Sequence, residues 1–173
     1  MNNHNNKPTS LLRLASFIAT GGGIGKLPLA PGTWASFAAI PVASLLYMLG
    51  GTWLLSVGIF LGFVIGIFVS SSHAQTLDDS DPSEVVIDEF IGMWLSILPI
   101  ASDWHYYIIA FVLFRFADIF KPWPCKAVER LPSGLGIMMD DVIAGLYSGI
   151  LVSLIAIWFG TSPNIPIFQS ILG

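Results

Sequence analysis

Apolar residues fill this chain in long runs, and the polar positions between them mark where each run stops. Runs over roughly 34–50, 53–72, 85–100, 105–120 and 137–159 predict helical segments. Several approach the ~20 residues that cross hydrocarbon, and the shorter ones depend on tilt or partial burial. An earlier run, 11–20 (LLRLASFIAT), is too short to span and predicts an interfacial or buried helix. Pro41 predicts a kink in the first long run. Gly58, Gly62 and Gly66 form a ridge at four-residue spacing that lets helices approach closely, and Gly145 and Gly149 repeat the device in the last run. The stretch TGGGIGKLPLAPGTWAS is dense in Gly and Pro and predicts a loop, with Thr33 placed to cap a helix beginning near Trp34. The pattern thus predicts an all-α, polytopic helical membrane bundle of about four to five apolar segments plus a short N-terminal interfacial helix. Residues 1–10 are expected to be a mobile cytoplasmic tail, 11–160 a single membrane-embedded domain and 161–173 a C-terminal tail.

Composition strengthens the membrane reading through what is scarce. Hydrophobic residues make up 54% of the 173 and charged ones only 10%, with mean hydropathy +0.77. Soluble domains carry about 25% charged residues. The net charge of −4 gives no basic surface for nucleic acid. Cys125 is the sole cysteine, so neither an intramolecular disulfide nor a thiolate metal site is available. The opening MNNHNNKPTS lacks the features of a cleaved signal. If Lys7, Arg13 and Lys26 lie inside, as the positive-inside rule expects, Lys121, Lys126 and Arg130 fall on the same side. So do Thr33, Asp88–Glu89, Arg115–Lys121 and Asp140–Asp141. Separate segments are therefore expected to deliver polar groups to one membrane face.

Charge within an apolar run must be paired, metal-bound or turned toward a watery cavity. Asp88 and Glu89 interrupt VVIDEFIGMW near a helix start, where the helix N-terminus offsets part of the cost. Neighbours on a helix point about 100° apart, so at most one of the two aims squarely at a given centre. In FRFADIFKPWP, Arg115 stands three residues before Asp118, the spacing of an internal ion pair, and Pro122 predicts that the helix stops at Lys121. Alternatively Arg115 and Lys121 bind phosphate oxygens, the arginine by its fork and the lysine as a point charge. Asp140 and Asp141 follow a Gly-containing turn, Ser133–Gly136; capping explains one of them and not both. Five carboxylates gathered in low dielectric repel strongly unless protonated or neutralised. A hard divalent cation such as Mg2+, which prefers oxygen ligands and bridges to phosphate, answers this and reverses the local sign. Other features read as inert. Asp79-Ser80-Asp81 is a solvated loop, Gly25–Lys26 does not complete a P-loop, and His4, His73 and His105 lack ligand-spaced partners.

Four stretches, PGTWASFAAIP (31–41), VIDEFIGMW (86–94), FRFADIFKPWP (114–124) and GLGIMMDDVIAG (134–145), resemble the phosphatidylglycerophosphatase A family of bacterial inner-membrane lipid phosphatases. The similarity covers about residues 11–160; Ala35 and Ser133 stand where glycines are expected. The resemblance implies Mg2+-dependent hydrolysis of the terminal phosphate of phosphatidylglycerophosphate, giving phosphatidylglycerol, at the cytoplasmic face of a multi-pass protein of the bacterial inner membrane. It implies a catalytic set of Asp88, Glu89, Asp118, Lys121, Asp140 and Asp141. Thr33, Arg115 and Lys121 would bind substrate, and Glu89, Asp118, Asp140 and Asp141 would hold the metal. A lipid phosphotransferase acting on a cytidine-linked lipid would require an Asp-Gly-x-x-Ala-Arg run, which the chain lacks. A cation transporter would place its acids at mid-membrane on several helices rather than gathered at one end.

Overall fold

In a computed structural model that describes residues 9–161, every regular element among those residues is helical. The expected tails lie mostly outside the described residues, which exclude 1–8 and 162–173. Helix α1 (Ser10–Ala19) is capped by Thr9, whose hydroxyl accepts from the Leu12 amide at 3.4 Å, and it leaves Leu11, Leu14 and Phe17 exposed. The Gly-rich stretch expected to be loop instead winds into a short 3-10 helix, Gly21–Lys26. The winding is interrupted by a kink at Gly22 and Gly23, whose φ of 71° and 100° only glycine adopts readily, and the chain stays non-helical from Leu27 to Ala30.

Helix α2 (Pro31–Leu77) merges the first two apolar runs, and its backbone breaks at Gly50–Gly51 rather than at Pro41. Gly51 takes φ 63°, which an L side chain resists. The arms on either side fold back along each other. Leu46 of the first meets Gly58 of the second, and Trp94 touches both, with its indole N–H donating to Ala39 O at 3.0 Å. Both ends of α2 therefore lie at one end of the bundle.

Helix α3 (Ile87–Ile97) runs on as a 3-10 turn to Ile100 and packs between α2 and α6 (Gly134–Trp158). Helix α4 (Tyr107–Phe120) covers another flank, and the short α5 (Cys125–Val128) leads to α6. The core is the middle of α3 and its neighbours: Ile91, Met93, Ile97, Phe114 and Met138 are fully buried. Small residues set the closest approaches, as the spacing predicts. Gly62 faces Ile91, Gly66 faces Met138, and Gly145 lies against the Gly92 backbone.

Three expectations need correction. Two helices, α2 and α6, are long and apolar enough to cross a membrane, fewer than the four to five segments expected. Helices α3 and α4 have 11 and 14 residues, which at ~1.5 Å per residue falls short of the ~30 Å hydrocarbon core. Thr33 does not cap α2, which begins at Pro31 after Ala30 in left-handed conformation. Helix α6 starts at Gly134, so neither Asp140 nor Asp141 caps it; both sit well inside the helix.

Candidate active site

The open end of the α2 hairpin, the start of α3, the end of α4 and the first turns of α6 meet, and their polar side chains form two linked clusters. The first centres on Arg115, in the last turns of α4. Its Nη1 donates to Glu89 Oε2 at 2.7 Å, pairs with Asp118 Oδ2 at 3.0 Å and donates to Ser36 Oγ at 3.2 Å. The Ser36 hydroxyl also lies 3.0 Å from Glu89 Oε2 and 2.9 Å from the Gly32 carbonyl. The other face of the Glu89 carboxylate rests on Gly32, where a Cβ would overlap it. Arg115 Nε is buried and has no hydrogen-bond partner among the described residues.

Lys121 forms the second cluster. It ends α4 in left-handed conformation with φ 46°, since the following Pro122 cannot continue the helix. Its ammonium leaves the helix axis and donates to Asp140 Oδ2 at 2.7 Å and to Glu129. Burial by itself would lower the Lys121 pKa, but the hydrogen bonds to Asp140 and Glu129 outweigh it and raise the pKa above the usual lysine value. The loop holding Asp79-Ser80-Asp81 is exposed, as expected, and Asp81 stands within electrostatic reach of Lys121 and Glu129. A polar cavity of about 100 Å³ joins this loop to Ser133, Glu129 and Asp140.

Among the described residues, no cation pairs with Asp88 or Asp141. The Asp88 carboxylate accepts only the Glu89 amide, at 3.0 Å, among the described residues. Asp141 is 2% exposed, and its carboxylate makes no hydrogen bond or ion pair there. Each lies within electrostatic reach of the other and of Asp118 and Asp140. A buried carboxylate with no partner is costly, so this corner favours a cation. Nevertheless, among the described residues no three Asp, Glu, His or Cys side chains surround a common ion-sized point.

The expected site residues thus gather, with one exception. Glu89, Arg115, Asp118, Lys121 and Asp140 are bonded in the two clusters, and Asp88 and Asp141 adjoin them. Thr33 stands on the first turn of α2 and makes no side-chain hydrogen bond to either cluster. Sequence reasoning missed two further partners, Ser36 and Glu129. Ser36 lies one turn after Gly32, and that spacing was the available hint. His73, buried between α1 and α2, bonds Ser16 at 3.0 Å and lies 3.5 Å from Glu84, a structural tie rather than a ligand set.

Known proteins resemble this chain over most of its length. The family model described as phosphatidylglycerophosphatase A matches residues 17–156. A protein of Escherichia coli (strain K12) named phosphatidylglycerophosphatase A is 38% identical over 86% of this chain and 89% of its own length. Its namesake from Haemophilus influenzae is 36% identical, covering 88% of this chain and 94% of the relative. A Bacteroides thetaiotaomicron protein, provisionally named a phosphatidylinositol-3-phosphatase, is 39% identical over 82% of this chain and 92% of that relative. No solved structure matches the chain.

Proposed function

The chain belongs to the phosphatidylglycerophosphatase A family, and from that membership we propose that it hydrolyses the terminal phosphomonoester of phosphatidylglycerophosphate, releasing phosphate and phosphatidylglycerol, with Mg2+ as cofactor at the cytoplasmic face of the inner membrane. The observation behind this reading is one arrangement. Acids from α3, α4 and α6 meet two cations at the polar end of a bundle whose sides are apolar. Leu45, Met48, Trp53, Phe60, Phe68 and Ile150 are all exposed on those sides. Water would penalise so much contiguous apolar surface, and a bilayer accepts it.

The donor set suits a hard cation: it is carboxylate oxygen throughout, and Asp141 is buried without a partner. Glu89, Asp118, Asp140 and Asp141 are the residues that would hold Mg2+, with Asp88 within electrostatic reach of Asp141. Bound there, the ion would supply Lewis-acid polarisation of the phosphoryl group and offset the carboxylate charge. The protein's own groups do the rest. Arg115 holds Glu89 and Asp118, so a phosphate competes with these carboxylates for one guanidinium, whose planar fork suits phosphoryl oxygens. Lys121, fixed between Asp140 and Glu129, keeps a positive charge beside the reacting group, where negative charge develops. Gly32 and Ser36 hold the Glu89 carboxylate in place from its other faces.

The test is release of inorganic phosphate from phosphatidylglycerophosphate in mixed micelles, with Mg2+ and with chelator, with phosphatidylinositol 3-phosphate and phosphatidic acid assayed in parallel. Faster release from the first lipid, abolished by chelator and restored by Mg2+, supports the reading. Preference for the inositol lipid would reassign the substrate, and release unaffected by chelator would remove the metal.

A further inference from the structure

Below the carboxylates, the bundle carries an apolar trench. Its upper part, a cleft of about 380 Å³, lies between the second arm of α2, α3 and α6 and is lined by Phe60, Phe63, Ile91, Met139 and Val142 among others. Its lower part, about 170 Å³, runs between the end of α3 and α6 past Leu146, Ile150 and Leu154. Leu95 and Leu98 line both parts, so the two adjoin along α3. We propose that this trench seats one acyl chain of the lipid substrate, so that the protein grips the hydrocarbon as well as the phosphate. The proposal deepens the phosphatase reading and rests on it.

Position is the first argument. On α3 the lining residues 91, 95 and 98 continue, at helical spacing, the stripe that begins at Asp88. On α6, Met139 and Val142 flank the Asp140–Asp141 pair in sequence. The helices touch at this level, where a Cβ on Gly92 would meet the Asp141 carbonyl oxygen at 2.7 Å. The trench thus opens beside the acids and leads away from them.

The lining chemistry is the second. Of its two hydroxyls, Ser56 lies in the upper part, and Ser153 of the lower part is already spent on its own helix, donating to Gly149 O at 2.6 Å. The remaining lower wall offers no side-chain hydrogen bond, so the occupant is hydrocarbon. Ile150 and Leu154 are 58% and 56% exposed, and no element of the described chain covers them.

Length is the third. From Val142 to Leu154 an α-helix rises about 18 Å at ~1.5 Å per residue. One leaflet of a ~30 Å hydrocarbon core is about 15 Å deep. The trench therefore matches a single acyl chain hanging from a headgroup held at the acids.

Two experiments on the full-length protein test this. In the first, phosphatidylglycerophosphate with long chains and with four-carbon chains is compared on wild type, Leu146→Trp and Ile150→Trp. Filling the trench should lower the long-to-short ratio of kcat/KM about tenfold. An unchanged ratio overturns the proposal, whether activity is kept or lost on both lipids. In the second, phosphatidylglycerol carrying a diazirine on one acyl chain is photolysed with the protein in vesicles, and the labelled peptides are mapped. This reads occupancy without turnover, so it still applies if the phosphatase reading fails. Label concentrated on the trench segments of α3 and α6, and displaced by either tryptophan, supports an acyl-chain seat. Label spread evenly over Leu45, Met48 and Phe68 as well, or chain-to-chain adducts through the trench, overturns it.

Discussion

The Glu89 carboxylate packs directly onto Gly32, with no space for a Cβ between them, while Ser36 and Arg115 hold it from other sides at 3.0 and 2.7 Å. The Pro-Gly pair that opens α2 is thereby part of the acid cluster. Gly32→Ala must push the carboxylate off at least one of those partners, and a hydrogen bond to a charged group is worth about 1.5–3 kcal/mol. Phosphate release should fall at least tenfold while the protein remains folded by circular dichroism. Wild-type turnover in this variant would show that the placement of Glu89 is irrelevant to the chemistry.

Asp118→Asn keeps the shape of the side chain and removes its charge, leaving Arg115 its 2.7 Å contact with Glu89. Loss of a preorganised electrostatic group costs about 10²–10³-fold in rate. A comparable loss of phosphate release is expected, with thermal stability changed little. Residual activity above a tenth of wild type would take Asp118 out of the reacting set.

Arg115→Lys keeps the charge but loses the planar fork and the buried Nε–H. Glu89 and Asp118 would still have a cation, so folding should survive. KM for the lipid should rise at least fivefold, because the planar fork that suits phosphate is gone. A fall in kcat at constant KM would instead assign Arg115 to the chemical step.

Asp141 is 2% exposed and unpartnered, which makes it a liability unless a cation joins it. In chelator, Asp141→Asn should therefore melt higher than wild type, by about 2–4 °C for each kcal/mol gained. Mg2+ should raise the wild-type melting temperature and leave the variant's unchanged. An equal Mg2+ shift in both proteins would separate Asp141 from the metal.

Lys121 has a pKa raised by Asp140 and Glu129, so its contribution to stability is complete below the unfolded-state lysine value of about 10.4. That contribution is lost only as pH rises through the still higher folded value. The stability deficit of Lys121→Met, measured by thermal melts, should therefore be constant from pH 7 to pH 9. A deficit that vanishes within that range would mean the lysine loses its proton there and is not held by both acids.

Much of this arrangement follows from short-range physics and could be read along the chain. Apolar runs need helices to satisfy their backbones, so the helical class, the short helix α1 and the glycine ridge were all legible. Arg115 with Asp118 is a pair three residues apart on one helix, and Lys121 sits where a proline stops that helix; neither depends on the rest of the fold. What the chain alone could not reveal depends on how helices cross. Ser36 and Glu89 are 53 positions apart and meet because α2 doubles back at Gly50–Gly51 and packs on α3. Glu129 reaches Lys121 only through the turn after α4. Asp141 is buried at a helix contact so close that a Cβ on Gly92 would meet its backbone carbonyl, and no cation of the described chain pairs with it. Periodicity specifies which face of a helix is apolar. Which buried charges find a partner is set by the distance of closest approach between backbones, and that is a property of the packed bundle.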